Sequence, residues 1–193
     1  RSEIDLLPIP DPSDDLRYVI DAVRQIRHEL QGRLPLIGFA GSPWTLATYM
    51  VEGKSSRDFG KVKHLIYTCP EGAHLLLEKL TRAITLYLIS QIEAGVDAIM
   101  LFDTWGGTLS AEAYKIFSLH YMQQIISELP RSTPSIVFTK GGGNWIEEIA
   151  SIGSAAVGID WTVDIATARS KVGHKVTLQG NLDPAIMLTS PEI

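Results

Sequence analysis

The chain has 193 residues, 45% of them apolar, which suits one sizeable core and is short for two, so residues 1–193 are expected to form a single domain. Seventeen basic against 22 acidic side chains leave a formal charge of −5, which argues against a nucleic-acid partner; the Lys61 and Lys63 pair reads as a solvated helix face. A single cysteine, Cys69, excludes an internal disulfide, and no apolar run nears the roughly 20 residues that span a bilayer.

In chain order, Ser13 followed by Asp14 and Asp15 reads as a helix cap. Leu16, Val19, Ile20, Val23, Ile26 and Leu30 then recur at helical spacing, predicting a helix over 13–31 that ends at Gly32. The short apolar run at 34–40 reads as a buried strand closed by Gly41. Ser42 as N-cap and Pro43 at the first helical position start a helix beyond it. Such a corner offers free backbone N–H groups to a ligand over the strand end and favours anions, although similar corners also occur without a ligand. Gly53 breaks that helix, Ser55 or Ser56 caps another through Thr68, and Pro70 begins a longer one. Its stripe of Leu76, Leu80, Ile84, Leu88 and Ile92 stops at Gly95.

From there the pattern is regular. Strands are expected at 98–104, 135–140, 155–160 and 175–180, separated by helices over 111–129, from Trp145, and over 163–171. Five short apolar strands each followed by helix mean an α/β protein with a parallel sheet covered on its outer face. No strand is followed by a dinucleotide-binding Gly-x-Gly-x-x-Gly corner with a downstream acid; GGG at 141–143 has the wrong loop. Polar residues collect at the strand C-terminal ends instead: Asp103 and Thr104, Thr139 and Lys140, Asp160, Gln179 and Asn181. That is the active-site face of a (β/α)8 barrel. Five units are fewer than eight, the chain opens at Arg1 without a Met, and it stops within SPEI at 190–193, where another helix would start. The expectation is the central part of a TIM barrel, about five of eight βα units. With no signal peptide and one cysteine, a reducing, cytoplasmic setting without a membrane partner is expected.

GFAGSPWTLATYMVEG at 38–53 resembles, along its whole length, the second signature of the uroporphyrinogen decarboxylase family. LFDTWGG at 101–107, GIDWT at 158–162 and LQGNLDP at 178–184 agree, so the similarity runs through essentially the whole chain. The resemblance implies a (β/α)8 barrel that decarboxylates the four acetates of uroporphyrinogen III to methyls, giving coproporphyrinogen III. It implies a small-molecule tetrapyrrole partner and a homodimer with facing barrel mouths. The FDTWGG and FTKGGGNW wording is of the bacterial kind, which again points to cytoplasm.

In this chemistry the protonated pyrrole ring is itself the electron sink, so no cofactor and no metal are expected. The protein must supply a proton donor, stabilise the ring cation and hold eight carboxylates through cationic and hydroxyl groups. The family's Asp near the pyrrole nitrogens, its Arg-Gln-Ala-Gly-Arg arginines and its late His have no counterpart in this chain, so no catalytic residue is expected within it. The resemblance assigns substrate binding to Tyr49 and Thr104, whose position is Ser in some members. It places Phe39 and Phe102 on the cleft floor, with Gly41 at the corner. Each has a structural alternative: a core tyrosine, a strand-end threonine, plain core phenylalanines.

Asp103 and Asp160 are strand-end acids open to perturbation by burial, Asp160 with the further role of bracing the turn at Trp161 and Thr162. Lys140 fits either a substrate carboxylate or a salt bridge to Asp103 or Asp160. His64, His74, His120 and His174 read as surface residues, and Trp44, Trp105, Trp145 and Trp161 as packing over the barrel rim. The competing function is a zinc methyltransferase of the same superfamily. Its His-x-Cys-Gly stretch would fall on Phe138, Thr139, Lys140 and Gly141, where Phe and Lys cannot supply ligands, and Cys69 is expected in mid-helix. A non-catalytic barrel is the remaining class.

Overall fold

A computed structural model describes residues 2–53, 56 and 58–190. Five parallel strands pair in chain order: β1 (Ile37–Gly41), β2 (Ala98–Asp103), β3 (Ser135–Thr139), β4 (Ala156–Gly158) and β5 (Thr177–Gln179). Helices α1 (Ser2–Asp5) and α2 (Arg17–Leu30) precede β1, and α3 (Pro43–Glu52), α4 (Gly60–Thr68) and α5 (Pro70–Glu93) follow it. Helices α6 (Ala111–Tyr114) and α7 (His120–Glu128) lie between β2 and β3, α8 (Ile146–Ala150) between β3 and β4, and α9 (Ile165–Val172) between β4 and β5. Parallel strands joined by helices in unbroken spatial order form an arc of a (β/α)8 barrel, the fold class expected from the sequence.

Most elements fall where side-chain chemistry puts them. Pro43 starts α3, Gly53 ends it in the left-handed conformation, and Pro70 opens α5. Several boundaries move, among them those of β4 and β5, which are three residues each where six were expected. Ser13 does not cap α2; Asp11 accepts the Ser13 N–H and hydroxyl in a turn of its own, and the helix begins only at Arg17. β1 begins at Ile37 rather than 34, because Leu36 exchanges bonds with Asp97, donating its N–H to the carboxylate and accepting the Asp97 N–H, each at 2.7 Å. Of the two serines expected to cap α4, Ser55 lies outside the described residues, as do 191–193, where a further helix was expected. The Ser56 hydroxyl accepts from the Phe59 N–H, and the first α4 amides, Lys61 and Val62, donate to Glu52 of α3.

The expected helix over 111–129 is interrupted between α6 and α7 by a π-helical turn, Lys115–Leu119. Such wider turns are uncommon and direct side chains a regular helix would point elsewhere. This one carries Ser118, which reaches the end of β2.

Side chains alternate across the sheet, so each strand has a helix side and an inner side. Ile99, Leu101, Val137 and Val157 point to the helices and are essentially fully buried, in one cluster with Leu77, Ile84, Leu88, Met122, Ile125, Ile146 and Ile149. On the inner side Ile37 is 43% and Phe39 61% exposed. The expectation of a buried β1 therefore holds for one face only: among the described residues, helices cover the outer side and none covers the inner one. Gln91 of α5 is buried and reaches the backbone of β1. Its amide oxygen accepts the Phe39 N–H and its amide nitrogen donates to the Phe39 carbonyl, both at 3.0 Å. Gly38 leaves the room for it, since a Cβ there would lie 2.7 Å from the Gln91 oxygen.

Replacing Gln91 by Leu keeps the volume and removes both bonds. The expected loss, read as a lower midpoint in urea unfolding, is roughly 1–3 kcal/mol, the cost of leaving backbone groups without partners; a midpoint equal to wild type would refute this account of β1.

Candidate functional site

The corner between β1 and α3 is built as its residue types dictate. The Ser42 hydroxyl accepts the Thr45 N–H at 3.0 Å and so caps α3, while the Ser42 N–H donates to the Phe102 carbonyl at 2.7 Å and locks the corner to β2. What stands against the helix start is a carboxylate of the chain itself. Asp103 Oδ1 accepts from the hydroxyls of Ser42 (2.7 Å) and Thr45 (3.1 Å), and Oδ2 accepts from Ser118 of the π turn at 2.7 Å. The preference of a helix N-terminus for an anion is thus met internally.

Asp103 has no solvent exposure. Burial pushes its carboxyl above the ordinary range; bonds from Ser118, Ser42, Thr45 and the Gly106 amide oppose that without cancelling it. The fit is close enough to require glycine at 106, where a Cβ would fall 1.9 Å from Asp103 Oδ2. Asp103 therefore acts inside the protein, tying α3, the loop after β2 and the π turn to one point.

Asp160 is a second internal anchor. It accepts from the Thr162 N–H at 2.9 Å, from the Thr162 hydroxyl and from the Gly141 N–H, bracing the turn as expected and reaching across to the loop after β3. Burial raises its carboxyl, but the Thr162 and Gly141 bonds, with the Lys140 charge behind them, outweigh it and hold it below the ordinary range. Lys140 makes no salt bridge with Asp103 or Asp160, so that expectation fails. Its ammonium lies over the Trp105 and Trp161 rings instead, 5.9 and 5.8 Å from their centroids.

Of the residues singled out from the sequence, Phe39, Gly41 and Phe102 lie together on the inner side of β1 and β2. Gly41 is the register partner of Phe102, and the Phe39 and Phe102 rings meet edge to face at 6.0 Å. Phe138 of β3 extends the row, 5.9 Å from Phe102, an aromatic neighbour that sequence spacing had left as a non-ligand. Tyr49 is 43% exposed, which removes the core-tyrosine alternative, and its ring meets Trp105 at 6.4 Å. Thr104 is half-buried directly after β2. The hydroxyls of Tyr49 and Thr104 have no hydrogen-bond partner among the described residues. The phenylalanines form an aromatic floor; Thr104 follows Phe102 by two residues at the end of β2, and Tyr49 reaches the same loop through Trp105.

The four tryptophans divide. Trp44 is fully buried and donates to the Trp105 carbonyl at 3.1 Å, and Trp145 stacks on Tyr114 at 4.2 Å, so both are packing residues. Trp105 is half-buried, with an Nε1 that has no acceptor among the described residues, and Trp161 is 42% exposed. His74 is half-buried rather than on the open surface. Its Nδ1 lies 2.6 Å from the Tyr121 hydroxyl, and its ring stacks on Phe117. Cys69 is exposed, at the junction of α4 and α5 rather than in mid-helix. Among the described residues no three His, Cys, Asp or Glu side chains are grouped to hold a metal ion.

Asp103→Asn replaces one accepting oxygen by a donor, leaving at least one buried hydroxyl or amide unpaired at a cost of about 1–3 kcal/mol. Because the folded-state carboxyl titrates above 3.8, it takes up its proton at a higher pH than the unfolded chain does. The stability that Asp103 contributes is therefore full below pH 3.8 and falls as pH rises through the folded-state pKa. Urea unfolding between about pH 4 and pH 7 should show the gap between wild type and Asp103→Asn narrowing toward neutrality; a gap that widens would contradict the assignment.

A family model described as uroporphyrinogen decarboxylase (URO-D) matches residues 1–193. The chain is 58% identical over 196 residues to uroporphyrinogen decarboxylase of Pseudomonas fluorescens (strain Pf0-1), covering 99% of this chain and 55% of that relative. It is also 58% identical over 192 residues to that of Hamiltonella defensa, covering 97% and 54%. The chain thus spans about half the length of the curated relatives it matches. In fold it is similar to a methyltransferase from Methanosarcina mazei, with a TM-score of 0.81 over 93% of this chain and 53% of that one; at 18% identity this is a likeness of fold alone. A match along all 193 residues, together with these identities, means that the chain belongs to the uroporphyrinogen decarboxylase family.

Proposed function

We propose that this chain is the central part of a decarboxylase that converts the four acetates of uroporphyrinogen III to methyls, giving coproporphyrinogen III. The reading rests on the family match and on one observation: the hydroxyls of Tyr49 and Thr104, which have no partner among the described residues, stand on the segments that follow β1 and β2, the two strands that carry the Phe39 and Phe102 floor. In this role Tyr49 and Thr104 donate to substrate carboxylates. Phe39, Phe102 and Gly41 form the surface on which a pyrrole ring lies. Apolar walls make those hydrogen bonds stronger than they would be in water. The acid that faces the pyrrole nitrogens is contributed from outside residues 1–193. The reaction needs no cofactor in this reading, and the working unit is a cytoplasmic homodimer in which residues 1–193 form part of a single barrel domain.

The test is anaerobic incubation of the intact protein with uroporphyrinogen, oxidation of the products to porphyrins, and chromatographic separation by carboxylate number. Porphyrins with seven down to four carboxylates are expected, and recovery of the eight-carboxylate species alone from folded protein would end the proposal. In the same assay Tyr49→Phe is expected to lower kcat/KM by about 1.5–3 kcal/mol of binding free energy, the worth of a hydrogen bond to a charged group. The Tyr49→Phe melting temperature should stay unchanged, since the hydroxyl has no partner within the described chain. Wild-type kinetics for this variant would remove Tyr49 from the site.

A further inference from the structure

Lys140 is the first residue after β3, between the ends of β2 and β4, and its backbone is held from both sides. Its N–H donates to the Asp103 carbonyl at 3.2 Å. Gly107 packs on its carbonyl oxygen so closely that a Cβ on Gly107 would come within 2.3 Å. The next residue, Gly141, has φ +73 and donates its N–H to Asp160. The Lys140 side chain, by contrast, makes no salt bridge among the described residues. Asp160, whose carboxyl feels the Lys140 charge, receives bonds on both oxygens from Thr162 and Gly141 instead. Two indoles take the place of a counter-ion, with the ammonium 5.9 Å from the Trp105 ring and 5.8 Å from the Trp161 ring.

An aromatic face attracts a cation without neutralising it or using its N–H donors. Lys140 is therefore oriented but keeps its charge and its donors for another group. The Trp105 ring that carries it also meets Tyr49, so the ammonium stands one ring away from Tyr49.

We propose that Lys140 is a carboxylate-binding residue of the substrate site, held in place by Trp105 and Trp161. This rests on the decarboxylase reading, which puts a polycarboxylate over these strand ends. An ammonium paired with the acetate about to lose CO2 would stabilise the ground state and oppose the reaction. The carboxylate assigned to Lys140 is accordingly one of the four that the reaction leaves in place. Such a group is present in substrate and product alike, so Lys140 acts on affinity for both and little on kcat.

The experiment is an equilibrium titration of the intact protein with coproporphyrin III, which carries only the four retained carboxylates, followed by porphyrin fluorescence. Lys140→Met is expected to raise Kd about tenfold, as for loss of a charge-assisted hydrogen bond, with Lys140→Arg within about threefold of wild type. Trp161→Leu should weaken binding in the wild-type background and add nothing to Lys140→Met, a coupling that a merely structural tryptophan would not produce. Uroporphyrinogen turnover, measured in parallel, separates the two readings. Turnover by wild type with an unchanged coproporphyrin Kd in Lys140→Met overturns the role of Lys140 and leaves the decarboxylase reading standing. Lys140-dependent binding without turnover overturns the decarboxylase reading and supports Lys140 as a carboxylate ligand. Wild type that turns over uroporphyrinogen but binds no coproporphyrin overturns the role of Lys140 alone, and wild type that does neither overturns both.

Discussion

A carboxylate without solvent is tolerated only when donors surround it, and the end of β2 is built on that condition. Asp103 draws hydroxyls from Ser42 and Thr45 at the start of α3, the Ser118 hydroxyl from the π turn and the Gly106 amide from its own loop. Removing a charge from water is costly unless its lone pairs are met, so these three segments have one low-energy arrangement relative to one another. Tyr49 stands on the helix that Asp103 anchors, and Thr104 and Trp105 on the loop. The positions of the candidate ligand-binding groups therefore follow from a residue that faces no ligand itself.

The neighbouring strand ends divide their charges in a complementary way. Asp160 is a carboxylate whose oxygens serve backbone amides and a threonine hydroxyl, and it holds the loop after β3 to the turn after β4. Lys140 in that loop keeps a positive charge between two indoles. A direct ion pair between the two would have occupied the ammonium's N–H donors. Instead neutral donors fill the Asp160 oxygens and the Lys140 N–H groups stay available, which suits a site for a ligand of many carboxylates.

The sheet has two different surfaces. Its helix side is dry and close-packed, with Ile99, Leu101 and Val137 at no exposure, and this burial is what holds α5 and α7 against the strands. Its inner side is a row of phenylalanines, Phe39, Phe102 and Phe138, in edge-to-face contact and partly open. Aromatic rings in such an array keep polar groups out of the floor, leaving recognition to the rim.

Much of this could be read from the residues alone, because the signals were local. Ser42 and Pro43 start a helix wherever the chain takes them, Gly53 ends one, and short apolar strands between helices form a parallel sheet. The sixteen residues at 38–53 carried the family, since so long a stretch of fixed glycine, proline and aromatic positions seldom arises by chance. What the sequence could not determine were pairings across tens of residues. Asp103 and Asp160 looked alike as strand-end acids; only packing made one a buried hub with a raised pKa and the other a turn brace with a lowered one. Lys140 had two acids within plausible reach, and the tertiary structure gave it two indoles instead, because both acids were already engaged by groups from neighbouring loops. Chain order decides which residue types stand at each strand end, and three-dimensional packing decides which of them meet.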